Sequence, residues 1–179
     1  MPFNAPDLET YKADLDNNIA AIQKLKTDSH ATIKIQSLLN ITAYVLATRF
    51  IEGAIKHIIY NCCKMRGDTD TQLTALSSEL KKFNNPEFTL IRDEMIAKIN
   101  FDILQGKTAG LFSDSDVSFL NEIVKNRHRN VHATFDPADW YNKNLKDLSD
   151  FHKEYAGVVK IVSYLDTIHY NHSTSAFSH

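Results

Sequence analysis

The chain has few of the residues that interrupt helices, with five glycines and four prolines among 179 residues. Glycine and proline are the residues that most destabilise a helix interior, so their scarcity favours an all-α fold. The length suits one domain, large enough to fold without disulfides or structural metals. A hydrophobic content of 43% and a charged content of 23% are ordinary for a globular protein.

Cysteine is scarce, and the two that occur, Cys62 and Cys63, are adjacent. Neighbouring cysteines cannot easily bridge to each other without strain, and two of them give no disulfide framework. We therefore expect reduced thiols and a cytoplasmic location. The first residues lack the basic run and apolar core of a signal peptide. The most apolar stretch, residues 41–59, is interrupted by charged residues, which favours a buried helix over a membrane span.

A large net charge and metal-ligand spacings are also missing. The formal charge is -2, which gives no overall attraction to nucleic acid, so RNA binding would need a local basic patch. Five of the eight histidines are spread along the chain without ligand spacing, and among these five only His169 and His172 stand three apart, near the predicted frayed end; the five are His30, His152, His169, His172 and His179. We therefore expect neither a metal nor another cofactor.

The apolar residues that are present recur at helical spacing, which predicts an up-and-down bundle of helices. The first helix is predicted over 7–26, with a stripe of Leu8, Tyr11, Leu15, Ile19, Ile22 and Leu25. A central helix is predicted over 31–64, followed by a helix capped by Thr69 or Asp70 and by a helix from Pro86 to Ile99 capped by Asn85. A loop over 100–115 leads to a helix capped by Asp114 or Ser115, which is named the motif helix for the polar run near its end. A last helix over 143–170 and a disordered tail over 171–179 complete the chain. Together these elements predict one helical domain over residues 1–170.

The motif helix carries the clearest functional signal, a polar and cationic run near its end. Its members are Asn126, Arg127, His128, Arg129, Asn130, Val131 and His132. RNA supplies its own nucleophile in the 2′-OH, so cleavage needs a proton acceptor, a proton donor and a cation at the phosphoryl oxygens. Histidine can serve as acceptor or donor near neutral pH, and arginine can hold two phosphate oxygens.

The geometry of this run raises a difficulty for a single helix. The predicted apolar stripe is Val117, Leu120, Val124 and Val131. At about 100° per residue, Arg127 lies about 50° to one side of the stripe and His132 about 90° to the other. The two could converge only through a distorted helix or a second copy of it.

Four residues separate Arg127 from His132, and the run resembles the arginine-to-histidine motif of the HEPN superfamily of all-helical ribonucleases and nucleotide-binding domains. The segment from Phe50 to Gly53 is similar to one in restriction-like and toxin-like members. The resemblance implies a metal-independent endoribonuclease with Arg127 and His132 as the catalytic pair, leaving a 2′,3′-cyclic phosphate and a 5′-OH. It also implies a homodimer through the motif helix, in a toxin–antitoxin or antiviral defence context with an antitoxin or other regulator.

The remaining candidates support this pair. His128 occupies the variable polar position of the motif, and Asn126 and Asn130 are the supporting amides. Lys125 and Arg129 are the candidate RNA-binding cations.

Glu52 has two interpretations, since a carboxylate in so apolar a helix needs a partner. It either orients Arg127 or pairs with Lys56, one turn on.

Two other functions remain open beside the ribonuclease. One is a catalytically silent HEPN module that binds nucleotide or a partner protein. The other is a structural bundle whose basic helix end only opposes the helix dipole.

Overall fold

The computed structural model describes residues 3–26, 33–131 and 148–179, and helices dominate these ranges. The helices are α1 (Pro6–Lys26), α2 (Ile33–Arg66), α3 (Asp70–Leu80), α4 (Phe88–Ile99), α5 (Leu104–Thr108), α6 (Asp114–Val131) and α7 (Leu148–Leu165). Two short strands follow, β1 (His169–Asn171) and β2 (Ala176–Ser178). The prediction of an all-α multi-helix bundle is confirmed. No helix in these ranges combines the length and the apolar character needed to cross a membrane.

Helices α2, α6 and α7 form the centre of the bundle. Helix α6 packs against α7, both pack against α2, and α1 covers another side of α2. The core includes Ile51, Ile55 and Ile59 of α2, which are almost fully buried. Cys62 and Cys63 are buried free thiols in the same core. Burial and the neighbouring Cys63 raise the pKa of Cys62 to about 12, so this thiol stays protonated and unreactive.

Helix α1 follows the predicted bounds closely, but its buried face is narrower than the predicted stripe. Leu8, Leu15 and Ile19 are buried. Tyr11 and Leu25, which the sequence places in the same stripe, are 52% and 54% exposed. A 3.6-residue period assigns a face to each apolar residue, whereas only the neighbouring helices decide how wide the covered face is.

The central helix ends at Arg66, two residues beyond the predicted bound, because the chain takes a φ of 94° at Gly67, in the region that favours glycine. Thr69 then caps α3 in a capping box with Gln72. Arg66 stabilises this turn by donating two hydrogen bonds to Asp68, from Nε at 2.8 Å and from Nη2 at 2.6 Å. The alternative that named Thr69 as the cap is therefore the one observed.

The predicted start of α4 is wrong by two residues. Asn85 does not cap the helix, because its backbone is left-handed with a φ of 54°. The helix begins at Phe88, and the Phe88 N–H donates a hydrogen bond to Asn121 Oδ1 of α6 at 2.9 Å. A side chain from another helix thus fulfils the capping function that the sequence assigns to Asn85.

The predicted loop over 100–115 contains the short helix α5. Asp102 Oδ1 accepts the Leu104 N–H at 3.0 Å near the start of this helix. Gly106 lies so close to Tyr164 that a Cβ there would be 2.5 Å from the ring. Gly106 therefore permits close packing of α5 on α7.

The C-terminal prediction is also wrong, because α7 ends at Leu165 and not near Tyr170. Beyond it, β1 and β2 pair as an antiparallel hairpin, with Tyr170 opposite Phe177. This hairpin replaces the last predicted helical turn and the predicted disordered tail. Thr167 Oγ1 donates to the Tyr164 carbonyl at 2.7 Å, and such local bonds compete with helix continuation.

Candidate functional site

The beginning of α6 is held by a closed set of polar contacts. Ser113, not Asp114 or Ser115, caps the helix, since its Oγ accepts the Asp116 N–H at 3.3 Å. Asp116 Oδ2 in turn accepts the N–H and the hydroxyl of Ser113, both at 2.8 Å. Lys160 of α7 donates to Asp116 Oδ1 at 3.1 Å. The predicted caps are thus wrong by one or two residues.

The buried face of α6 differs from the predicted stripe. It contains Asp116, Leu120, Ile123 and Val124, while Val117 is only partly buried. At about 100° per residue, Arg127 projects within about 10° of the mean direction of these four residues. The predicted stripe lacks Ile123 and Asp116, and for this reason it puts Arg127 about 50° from the centre of the buried face. Arg127 lies on the face that α6 turns toward the bundle.

Arg127 is half-buried, and its guanidinium is held by one contact from outside its helix. Nη1 donates to Asn85 Oδ1 at 2.8 Å across 42 residues of sequence. Among the described residues, Asn85 is the one polar partner of Arg127. A guanidinium has five N–H donors, and within the described ranges Asn85 engages one of them.

Asn126 is buried, with 1% of its surface exposed. Its Nδ2 donates to the Glu122 carbonyl one turn earlier, at 2.7 Å. This contact lies within α6, so Asn126 supports the helix next to Arg127. Lys125 is exposed, as a residue that contacts RNA must be.

Glu52 contacts Lys56, whose Nζ lies 2.5 Å from Glu52 Oε1. Both side chains are 26% exposed, so the pair is accessible to solvent. Glu52 and Arg127 are both described, and no ion pair joins them. Of the two interpretations that the sequence leaves open, the geometry shows the pair with Lys56.

Several predicted site residues lie wholly or partly outside the described part of the chain. His132 is outside the described residues. The backbone of His128, Arg129 and Asn130 belongs to α6, but their side chains are outside the description. The convergence of Arg127 and His132 therefore stays a prediction. Within the described ranges, no group of three or more histidine, cysteine, aspartate or glutamate side chains has the arrangement of a metal site.

Asn85 contacts Arg127 but is not among the site residues that the sequence predicts. The Asn84-Asn85-Pro86 sequence is a turn signal, but it gives no information on a contact 42 residues away. Asparagine tolerates the left-handed conformation better than most residues. This tolerance is the sequence signal that is consistent with Asn85 as a turn residue and not as a helix cap.

With this geometry in view, comparison of the chain with protein-family models, curated proteins and solved structures gives no match. The argument for function therefore depends on the residues themselves.

Proposed function

We propose that the protein is a metal-independent endoribonuclease of the HEPN type. The observation that carries the proposal is the position of Arg127. Arg127 is half-buried on the core-facing side of α6, with one neutral hydrogen-bond partner and no carboxylate partner among the described residues. A phosphate would supply the missing negative charge. The resemblance of the run 126–132 to the HEPN motif supports the same conclusion.

In the proposed reaction, the 2′-OH oxygen of one nucleotide attacks the adjacent phosphorus. A base removes the 2′-OH proton, a bond forms between the 2′ oxygen and phosphorus, and the bond to the 5′ oxygen breaks. An acid protonates that oxygen as it leaves. His132 is the proposed proton-transfer residue, and Arg127 stabilises the charge on the phosphoryl oxygens. The products are a 2′,3′-cyclic phosphate and a 5′-OH.

The proposed active form is a homodimer through α6. Residues five positions apart on an ideal helix point about 140° apart, so Arg127 and His132 of one straight helix would not reach the same phosphate. Two copies of α6 facing each other would bring an arginine of one protomer near a histidine of the other. The histidines of the two protomers would then serve as acid and base.

The proposed biological context is cytoplasmic RNA cleavage in a toxin–antitoxin or antiviral defence system. A regulatory protein such as an antitoxin would cover the RNA site, since an unrestrained ribonuclease harms its own cell. The second candidate function is a silent module that binds nucleotide or a partner without cleavage. Such a module has no chemical need for Arg127 and His132 together.

The decisive experiment is incubation of the purified protein with end-labelled tRNA and mRNA in excess EDTA. We expect cleavage that leaves 5′-OH ends, which polynucleotide kinase can label directly, and 2′,3′-cyclic phosphates, which block ligation. His132→Ala should abolish cleavage and leave the circular dichroism spectrum unchanged. RNA binding without cleavage would favour the nucleotide-binding silent module, and neither binding nor cleavage would contradict the ribonuclease and leave only a module that binds a partner protein.

A further inference from the structure

The turn between α3 and α4 lies beside the arginine of α6. It comprises Lys81, Lys82, Phe83, Asn84, Asn85 and Pro86. The hydrogen bond from Arg127 to Asn85 joins this turn to the functional motif. Because 42 residues separate the two partners, only the fold reveals that they belong to one surface.

The turn is anchored in a way that fixes the position of Asn85. Phe83 and Pro86, on either side, are buried. The left-handed backbone of Asn85 is closed by the Glu87 N–H, which donates to the Asn85 carbonyl at 2.7 Å. A side chain on so constrained a backbone is a fixed acceptor, and the guanidinium that it binds is oriented with it.

Asn85 is suited to orienting an arginine that must bind an anion. Its amide oxygen is a neutral acceptor, so it restricts the guanidinium without cancelling the positive charge. A carboxylate at this place would compete with a phosphate for the same N–H groups. Asn85 thus holds the Arg127 guanidinium, which is the role that one of the two interpretations of the sequence gives to Glu52. Glu52 itself contacts Lys56.

Lys81 and Lys82 extend the positive charge away from Arg127. Both are exposed, and neither forms a salt bridge with a described residue, although Lys82 lies near Glu79 of α3. Lys82 precedes Asn85 by three residues, so their Cα atoms are at most about 11 Å apart. Glu87 and Glu122 are partly buried, and the exposed Glu79 of α3 pairs with Lys98. Lys81 and Lys82 are therefore exposed cations on this side of the site.

We infer that the α3–α4 turn is the second side of the RNA site, with Asn85 as a positioning residue for Arg127 and with Lys81 and Lys82 binding the phosphates of a single strand next to the cleaved one. This inference rests on the proposed ribonuclease function. It adds residues that lie outside the motif and that the motif's spacing does not indicate.

The first test concerns Asn85 and uses a double-mutant cycle. Asn85→Gly retains a residue suited to positive φ but removes the acceptor. We expect a cleavage rate about tenfold lower with a KM that changes little, because a free guanidinium is less well oriented in the transition state. In an Arg127→Ala background, the same substitution should have no further effect on residual cleavage or RNA affinity. An equal loss in both backgrounds would show that Asn85 acts independently of Arg127.

The second test concerns the lysines and has a matched control. Lys81→Gln/Lys82→Gln should weaken binding of an uncleavable 2′-deoxy-substituted oligonucleotide roughly tenfold near 0.15 M salt and reduce the salt slope by about 1.4, the value for two lost single-strand phosphate contacts. Lys64→Gln/Lys107→Gln removes the same charge from other parts of the surface and should change neither quantity.

These measurements distinguish a failure of the turn as an RNA-binding surface from a failure of the proposed ribonuclease function. If the wild-type protein and the Lys64/Lys107 control cleave RNA, but the Lys81/Lys82 variant binds and cleaves as well as they do, the turn is not part of the site and the proposed function stands. If the wild-type protein neither binds nor cleaves RNA, the proposed function fails first, and this inference fails with it.

Discussion

The two ends of α6 treat charge in opposite ways. At the beginning, the buried carboxylate of Asp116 accepts hydrogen bonds from Ser113 and from Lys160 of α7. Toward the other end, the half-buried guanidinium of Arg127 has one neutral partner in the described part of the chain, Asn85. The first end is a completed structural contact. The second end is not completed by a carboxylate in these ranges, which is the feature that the proposed anion site requires.

Position within the fold reinforces the contrast. Asp116 lies beneath α7, where Gly157 permits close contact, and 4% of its surface is exposed. Arg127 lies beside a turn that carries two exposed lysines. A ligand can therefore reach the second end but not the first. Substitutions at the two ends should then change different properties of the molecule.

The largest expected effect is that of Arg127→Ala on RNA cleavage. We expect a loss of about 100-fold or more, because electrostatic stabilisation of a transition state typically contributes that much. The free energy of unfolding should change by no more than about 1 to 2 kcal/mol, since one hydrogen bond from the guanidinium is lost at a half-buried position that solvent can reach. Cleavage assays and urea unfolding of the same preparations measure both. Loss of stability without loss of cleavage by the folded fraction would reverse the comparison.

The next effect belongs to the beginning of α6. Asp116→Ala removes the acceptor of the capping box and of Lys160, so we expect about 2 kcal/mol of destabilisation, combining a cap with a buried hydrogen bond. Cleavage by the folded fraction should be unchanged. Chemical unfolding followed by circular dichroism, with cleavage measured on the same sample, tests both statements.

The same carboxylate gives a pH dependence with a definite sign. Burial opposes ionisation of Asp116, but the hydrogen bonds from Ser113 and Lys160 outweigh it, so its pKa lies below the ordinary value. A carboxyl group with a lowered folded-state pKa stabilises the fold above its unfolded pKa of about 4, and that contribution is lost as the pH falls below this value. Asp116→Ala should therefore show a weaker loss of stability between about pH 5 and pH 2 than the wild-type protein.

A smaller effect tests how tightly the closed end is packed. In Gly157→Ala, the new Cβ would lie 3.0 Å from the Asp116 backbone and 3.0 Å from the Phe119 ring. We expect about 1 to 3 kcal/mol of destabilisation from overpacking. Gly53→Ala is the matched control, because nothing lies within 4 Å of its added Cβ. The control should stabilise α2 by about 0.5 to 1 kcal/mol. Equal effects at the two positions would contradict the packing argument.

The sequence predicts the helices better than the contacts between them. Periodicity and the scarcity of glycine and proline locate α1, α2 and α6 because these signals act within one helix. The capping of α4 by Asn121 and the bond between Arg127 and Asn85 join residues 33 and 42 positions apart. No local pattern contains such contacts. The same reason explains the hairpin, whose pairing depends on the partner strand and not on helical spacing.

The motif shows the same division. Its residue types, and hence the proposed chemistry, are apparent from the sequence, and so is the position of Arg127 on α6. Its angle to the core is not, because that angle depends on whether Ile123 and Asp116 are buried, which α7 decides. Glu52 is the opposite case. Its observed partner, Lys56, is one turn away in the same helix, yet the sequence allows both this local contact and a distant contact with Arg127.

The smallest effect is expected for Glu52→Gln, and it tests whether the open end of α6 depends on this carboxylate. Glu52 pairs with Lys56 at i, i+4 with both side chains accessible to solvent, so the pair contributes at most about 0.5 kcal/mol to stability. Because Asn85 already binds the Arg127 guanidinium, we expect cleavage to be unchanged within about twofold. Lys56→Gln, which removes the other half of the same pair, should give the same small change in urea unfolding. A loss of cleavage above tenfold in Glu52→Gln but not in Lys56→Gln would mean that Glu52 does orient Arg127 when RNA is bound, and that Asn85 holds it only in the free protein.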